Sequence, residues 1–251
     1  MLRASPTERF SSRVEYYVRF RPTYPQEVIN VLRDECDLRP DHLIADIASG
    51  TGLFTRLLLE NGNRVLGVEP NADMRSAGEE YLAKFPNFSS VVGAAEATSL
   101  PDRSLDFVTA AQAAHWFDRD KALAEFQRVL KPGGYLVLLW NDRLVDTAGF
   151  NRDYEQLVLQ YGTDYGEVKR RDAAAAHFLG EIPCTKRVLA NHQELDFEAL
   201  QGRLVSSSYI PQLGESSYDP MIADLRRLFD SYQQNGRVRM EYDTKMYFTR
   251  F

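Results

Sequence analysis

The stretch "DIASGTGLFTRLLLENGNRVLGVEPNADM", residues 46–74, sets small residues between two apolar runs and puts Glu69 just after the second run. Its left flank, "HLIADIA" (42–48), reads as a β-strand. "LFTRLLLENG" (53–62) reads as a helix, because Phe54, Leu57 and Leu58 recur on one face and Gly62 stands at the C-terminal cap. "RVLGVE" (64–69) is a second strand. In a strand, tight turn and helix, small residues let a ligand approach the backbone closely. A triphosphate loop needs Gly-Lys-Ser or Gly-Lys-Thr, whereas Gly52 is followed by Leu53. The dinucleotide pattern G-x-G-x-x-G also fails, since small residues occupy 48, 50 and 52 while leucine fills 53. The spacing favours a ligand without phosphates. Glu69, at the end of the second strand, is placed to accept hydrogen bonds from both hydroxyls of a ribose, which points to a nucleoside. Asp46 has two compatible readings: it caps the loop amides, or it orders the loop beneath the cationic end of a ligand.

Working outward, "PTYPQEVINVLRDE" (22–35) puts Val28, Ile29 and Leu32 on one helical face ahead of the first strand. Downstream, a helix over "DMRSAGEEYLAKF", a short strand "FSSVVG", a loop "AAEATSLPDRS" and a strand "LDFVTAAQ" continue the alternation. "DKALAEFQRVLKPGG" carries Leu123, Phe126 and Leu130 on a helical stripe, which Pro132 and two glycines are expected to end before the strand "YLVLLWN". Apolar strands separated by helices predict a parallel sheet covered on both faces.

From Asp142 to about Gly180 the pattern turns polar and aromatic and reads as an inserted helical segment. The tail "RVRMEYDTKMYFTRF" alternates Val238, Met240, Tyr242, Thr244, Met246 and Phe248, and is expected to be an antiparallel strand near "TKRVLANHQ". The expected division is a cap and cofactor-binding core over 1–141, a variable insertion forming an acceptor lid over 142–207, and a C-terminal completion of the core over 208–251.

The chain has 251 residues and a net charge of −6, which argues against a free-standing electrostatic grip on nucleic acid. Cys36 and Cys184 are the two cysteines, and the histidines at 42, 115, 177 and 192 share no ligand spacing. Neither a disulfide framework nor a metal site is expected. The first residues lack a long apolar core, so no signal peptide, membrane span or membrane partner is expected, and a cytoplasmic location follows as the simpler reading.

"DIASGTG" (46–52), "VLGVEPNADM" (65–74), "GAAEATSLPDRSLDFVTAAQAAHWF" (93–117) and "RVLKPGGYLVLLW" (128–140) occur together in one order. In these stretches the chain resembles the class I S-adenosylmethionine-dependent methyltransferases, on the small-molecule branch called methyltransferase type 11. The resemblance covers roughly residues 10–141. It implies an α/β, Rossmann-like fold: a seven-stranded, mostly parallel sheet with the last strand antiparallel, plus a small helical lid. It also implies S-adenosylmethionine as cofactor, with S-adenosylhomocysteine as product and no metal. The loop of Asp46, Ala48, Gly50 and Gly52 would hold the methionine part, Glu69 the ribose, and Asn71 and Met74 the surroundings of the adenine. Alanine stands at 48 where glycine is common, and Ala94 stands where the family often has aspartate. Ala95 and Glu96 would then make the adenine contact.

The donor methyl is already activated, so an in-line nucleophile in a sheltered pocket suffices. Gln112, His115 and Trp116 would lie near the cofactor or the acceptor, with His115 the candidate base, or else a structural histidine beside Trp116. The Tyr- and Arg-rich "EYYVRFRPTYP" would lie over the cofactor. Tyr17 and Arg21 are assigned to the cofactor, Tyr16 and Arg19 to the acceptor, with surface salt bridges as the plain alternative. Arg143, Ser207 and Tyr209 complete the candidate acceptor pocket; the serines Ser206 to Ser208 serve there or cap a following helix.

The expected activity is methyl transfer to an O or N atom of a small molecule, with a carboxylate among the candidate acceptors. The alternatives are a noncatalytic cofactor- or partner-binding domain, an RNA or protein methyltransferase, and a nicotinamide-dependent reductase, which Leu53 disfavours. The chain is expected to be a monomer or a homodimer.

Overall fold

A computed structural model describes residues 19–145, 148–163, 165, 178–207 and 209–251. Helix α1 (Glu27–Cys36) leads into β1 (Leu43–Ile47), α2 (Leu53–Glu60), β2 (Arg64–Val68), α3 (Ala72–Leu82), β3 (Phe88–Val91) and β4 (Leu105–Ala111). A 3₁₀ turn (Ala114–Trp116), α4 (Arg119–Val129) and β5 (Leu130–Arg143) follow. Then come α5 (Phe150–Tyr161), β6 (Thr185–Leu195), α6 (Phe197–Val205), α7 (Tyr218–Tyr232) and β7 (Val238–Arg250).

The sheet order is β3-β2-β1-β4-β5-β7-β6. The first five strands of that order run parallel, and β7 lies antiparallel to both β5 and β6. The expected Rossmann-like sheet and the antiparallel tail beside "TKRVLANHQ" are both present. Alternation along the strands sorts the core into two layers. Ile44, Phe107, Val137 and Leu139 meet Val28, Ile29 and Leu32 of α1 and Phe54, Leu57 and Leu58 of α2. Ala45, Ile47, Val108, Leu136, Leu138 and Trp140 meet Ala122, Leu123 and Phe126 of α4 on the other face.

One expectation needs correction. Leu130 does not lie on α4, which ends at Val129; it opens β5. The register jumps from Leu105↔Leu130 to Phe107↔Tyr135, so Pro132 and the glycines form an irregularity inside the strand edge, where a missing N–H costs no ladder bond. Met221, Leu225 and Phe229 of α7 share a cluster with Phe150, Tyr154 and Leu157 of α5 and Leu200 and Leu204 of α6. The same cluster takes in Leu195 of β6 and Val238, Met240 and Tyr242 of β7, so α7 packs with α5 and α6 over the far end of the sheet. We propose a lid unit running from about 142 to the start of β7.

Candidate functional site

The turn after β1 departs from regular backbone at every second residue: Ala48, Gly50 and Gly52 have φ of +52°, +57° and +83°. A side chain on Gly52 would come within 2.6 Å of Leu82, and one on Gly50 within 3.3 Å of Met74. Gly78 on α3 is part of the same construction, since a Cβ there would lie 2.9 Å from the Gly50 carbonyl. Small residues on both sides let α3 close on the turn and leave its backbone facing a cavity.

Glu69 bridges this turn to α3. One carboxylate oxygen accepts from the Gly50 amide at 2.9 Å, and the other from the Asn71 amide at 2.8 Å. Each oxygen has a second lone pair, so two hydrogen-bond positions are left for a ligand diol. Burial pushes the carboxyl's pKa up, while the two amides and Arg75 oppose the rise. Asn71 caps α3 by accepting from the Met74 amide at 2.9 Å.

Asp46 is buried, and its partners correct the expectation that it caps loop amides. It accepts from the Thr55 hydroxyl at 2.6 Å and the Thr109 hydroxyl at 2.9 Å, tying β1 to α2 and β4. Burial raises its pKa to about 6 despite those two bonds, and Glu69 adds to the rise.

At the end of β4, Gln112 sits at φ +58° and its side-chain amide donates to the Asn141 carbonyl at 3.2 Å. A non-glycine residue in the left-handed region is strained, and such strain collects at functional sites. The His115 and Trp116 rings lie 4.8 Å apart on the 3₁₀ turn. Ala95 is buried, and Glu96 already accepts from the Asp118 amide at 2.7 Å, so one of its oxygens is engaged away from any adenine.

One cavity of about 730 Å³ joins these residues. Asp46, Ala48, Gly50, Glu69, Asn71, Met74, Ala95, Glu96, Gln112, His115, Trp116, Arg21, Arg143 and Tyr209 all line it. Gly52 does not; it serves the packing of α3. Arg19 does not line it either: exposed, it pairs with Glu198 at 3.1 Å, which is the surface salt bridge of the plain alternative. Ser207 stands behind the lining, its hydroxyl accepting from Arg203 at 3.4 Å and Arg21 at 3.5 Å. Ser206 ends α6 as its C-cap instead of starting the next helix, which begins after Ser217. Tyr16, Tyr17 and Ser208 lie outside the described residues.

Sequence reasoning missed several lining residues on the lid side. Arg203 and Tyr242 line the cavity, and Arg203 Nε donates to the Tyr242 hydroxyl at 3.4 Å. A signal existed: Arg203 falls three residues after Leu200, on the apolar face of α6, where an unpaired charge has no structural use. Arg143 donates to Glu155 and, at 3.1 Å, to Tyr165, whose hydroxyl donates to Glu155 at 2.7 Å. The Arg143 guanidinium also stacks 4.8 Å from the Tyr154 ring centre. Among the described residues no cluster suited to a metal ion occurs, and no helix is long and apolar enough to cross a membrane.

The family model described as a methyltransferase domain matches residues 45–138, which span β1 to the middle of β5. An uncharacterized methyltransferase of Mycobacterium tuberculosis is 37% identical over 162 residues, which are 64% of this chain and 62% of the relative. The match thus spans less than two thirds of that relative's length. An uncharacterized methyltransferase-like protein of Schizosaccharomyces pombe is 28% identical over 94% of this chain and 92% of its own. Among solved structures, a protein of Anaeromyxobacter dehalogenans assigned provisionally to the type II methyltransferases superposes with a TM-score of 0.71 at 23% identity, covering 92% of this chain and 98% of the other. With the sheet order and the Glu69 turn, these likenesses lead to one statement: residues 45–138 are similar to a methyltransferase domain, and the chain shares its fold with a solved structure of that kind.

Proposed function

We propose that the chain transfers a methyl group from S-adenosylmethionine to an O or N atom of a small molecule. The observation that carries this reading is Glu69, fixed by two backbone amides over a glycine turn and opening into the same cavity as Gln112, His115 and the lid arginines. The residues present fit the cofactor: Glu69 keeps acceptor positions for a ribose diol, and Gly50 leaves backbone bare beside it. The volume is in the range of sites that enclose a ligand of drug size. When bound, the cofactor supplies a methyl group already activated on a sulfonium.

The chain's own part is positioning and exclusion of water. Glu69 and the turn orient the donor from β1 and β2. Gln112, held by Asn141, and His115 stand at the end of β4, where they border the acceptor side of the cavity. An acceptor hydroxyl or amine must lose a proton, and His115 is the imidazole that borders that region and can take it. A carboxylate acceptor needs no base, and in that case the arginines of the lid do the orienting. The acceptor is taken to be small because lid residues line one side of a cavity of ligand size and the net charge of −6 gives no polyanion-binding field.

Isothermal titration of the wild type and of Glu69→Ala with S-adenosylhomocysteine tests the assignment. Measurable binding that weakens severely in the variant is expected. A folded wild type that does not bind would sink the cofactor reading and bring forward a noncatalytic domain of the same fold.

A further inference from the structure

Arg203 is 6% exposed, lies on α6 and lines the cavity. A guanidinium carries five donors and is charged at any working pH, so burying it without an anion is costly. The partners of Arg203 are neutral and distant: the Tyr242 and Ser207 hydroxyls, each at 3.4 Å. Among the described residues no carboxylate touches it. The neighbouring carboxylates face other cations: Glu155 faces the Arg143 guanidinium, and Asp142, at 2.6 Å, faces the Lys245 ammonium together with Asp243. Arg143 is placed opposite Tyr242 in the β5–β7 ladder, which puts it on the same face as the Arg203 partner. Its Nε is buried with no acceptor among the described residues. Two guanidinium groups therefore border one wall of the cavity with unused donors and a surplus of positive charge. The Tyr165 and Tyr209 rings, 4.7 Å apart, supply an apolar wall beside them.

We propose that the methyl acceptor is a small organic anion and that Arg203, with Arg143 beside it, anchors its anionic group on the lid side of the cavity. The inference rests on the methyl-transfer reading and narrows it to a substrate class. Carboxylate and phosphate ester share the required chemistry: planar or tripodal oxygens that a guanidinium fork engages with two bonds. The anchor accounts for a charged residue on the apolar face of α6, which packing alone would disfavour. It also assigns Arg203 a role in specificity and not in proton transfer, since an arginine does not titrate at working pH.

The test follows thermal unfolding of the protein, with and without S-adenosylhomocysteine, on addition of benzoate, phenyl phosphate or benzamide. At least one anion is expected to raise the melting temperature while benzamide, neutral and of nearly the same shape, does not. The larger of the two anion responses distinguishes carboxylate from phosphate. Arg203→Lys is expected to raise the half-saturating anion concentration at least tenfold with S-adenosylhomocysteine affinity unchanged. Arg203→Met guards against misfolding: removing an unpaired buried charge is expected to leave the ligand-free melting temperature unchanged or higher and to abolish the anion response. Benzamide matching benzoate, no response to either anion, or an undiminished response in both variants overturns the anchor. Failure of the wild type to bind S-adenosylhomocysteine overturns the methyl-transfer reading instead, and the anion arm without it still decides the anchor.

Discussion

Asp46→Asn tests whether the buried carboxylate under the turn is a stability cost that the fold accepts. The Asp46 carboxyl rises from an ordinary 3.8 to about 6 because burial outweighs the Thr55 and Thr109 hydrogen bonds. The native state therefore binds more protons than the unfolded chain between those values, and stability falls as pH rises through that window. At about 1.4 kcal/mol per pH unit, the full penalty above pH 6 is about 3 kcal/mol. Roughly 2 kcal/mol of it develops between about pH 4.5 and 7.5. Asparagine has nearly the same shape and no charge to ionise, and its amide group can donate to one threonine hydroxyl while its oxygen accepts from the other. Urea unfolding of both proteins across that range, without ligand, measures the difference. The stability of wild type minus variant is expected to fall by about 2 kcal/mol as the pH rises. Parallel curves would refute the reasoning, because every other titrating group is shared by the two proteins.

Three further outcomes follow from the same turn. Ala48→Gly removes a Cβ from φ +52° and is expected to stabilise by roughly 0.5–1 kcal/mol in urea, with S-adenosylhomocysteine affinity unchanged. Gly78→Ala would gain about 1 kcal/mol on helix propensity alone. With a Cβ 2.9 Å from the Gly50 carbonyl it is instead expected to lose stability and to weaken S-adenosylhomocysteine at least tenfold, by titration calorimetry; a net gain contradicts the packing argument. Glu69→Gln keeps shape and loses charge, and a charge-assisted bond of about 1.5–3 kcal/mol predicts roughly tenfold to hundredfold weaker binding.

Much of the candidate cofactor side was legible because its parts lie close together in sequence. Asp46 to Met74 contains the turn, its helix, the second strand and the acidic residue, so local periodicity places all of them. What that reading missed was the partner across the gap. Gly78 looks like an ordinary weak point in a helix until α3 is seen to close on Gly50, and the hydroxyls that hold Asp46 come from α2 and from β4, 63 residues away along the chain. The end of α4 was misread for a related reason. Leu130 continues the helical stripe in sequence, but pairing with Leu105 takes it into the sheet.

The lid side was less legible because nothing local assembles it. Its residues come from the far end of β5, the start of β7, α5 and α6, and no window of sequence holds two of those elements together with their register. Yet the cause is visible once strand length is considered. β5 and β7 pair continuously from Tyr135↔Arg250 to Arg143↔Tyr242, well past Leu139, where the last core residue of β5 on one face lies. Those extra residues carry Arg143 and Tyr242 above the sheet edge, and α5 and α6 must cover them. The cofactor turn sits at the reversal of strand order between β1 and β4, the usual crevice of such sheets. The prolonged pair stands one strand further on. In the proposed reading, extending two adjacent strands walls the acceptor side of a crevice that topology had already opened, and the two arginines, not the shared fold, set the chemistry of that wall.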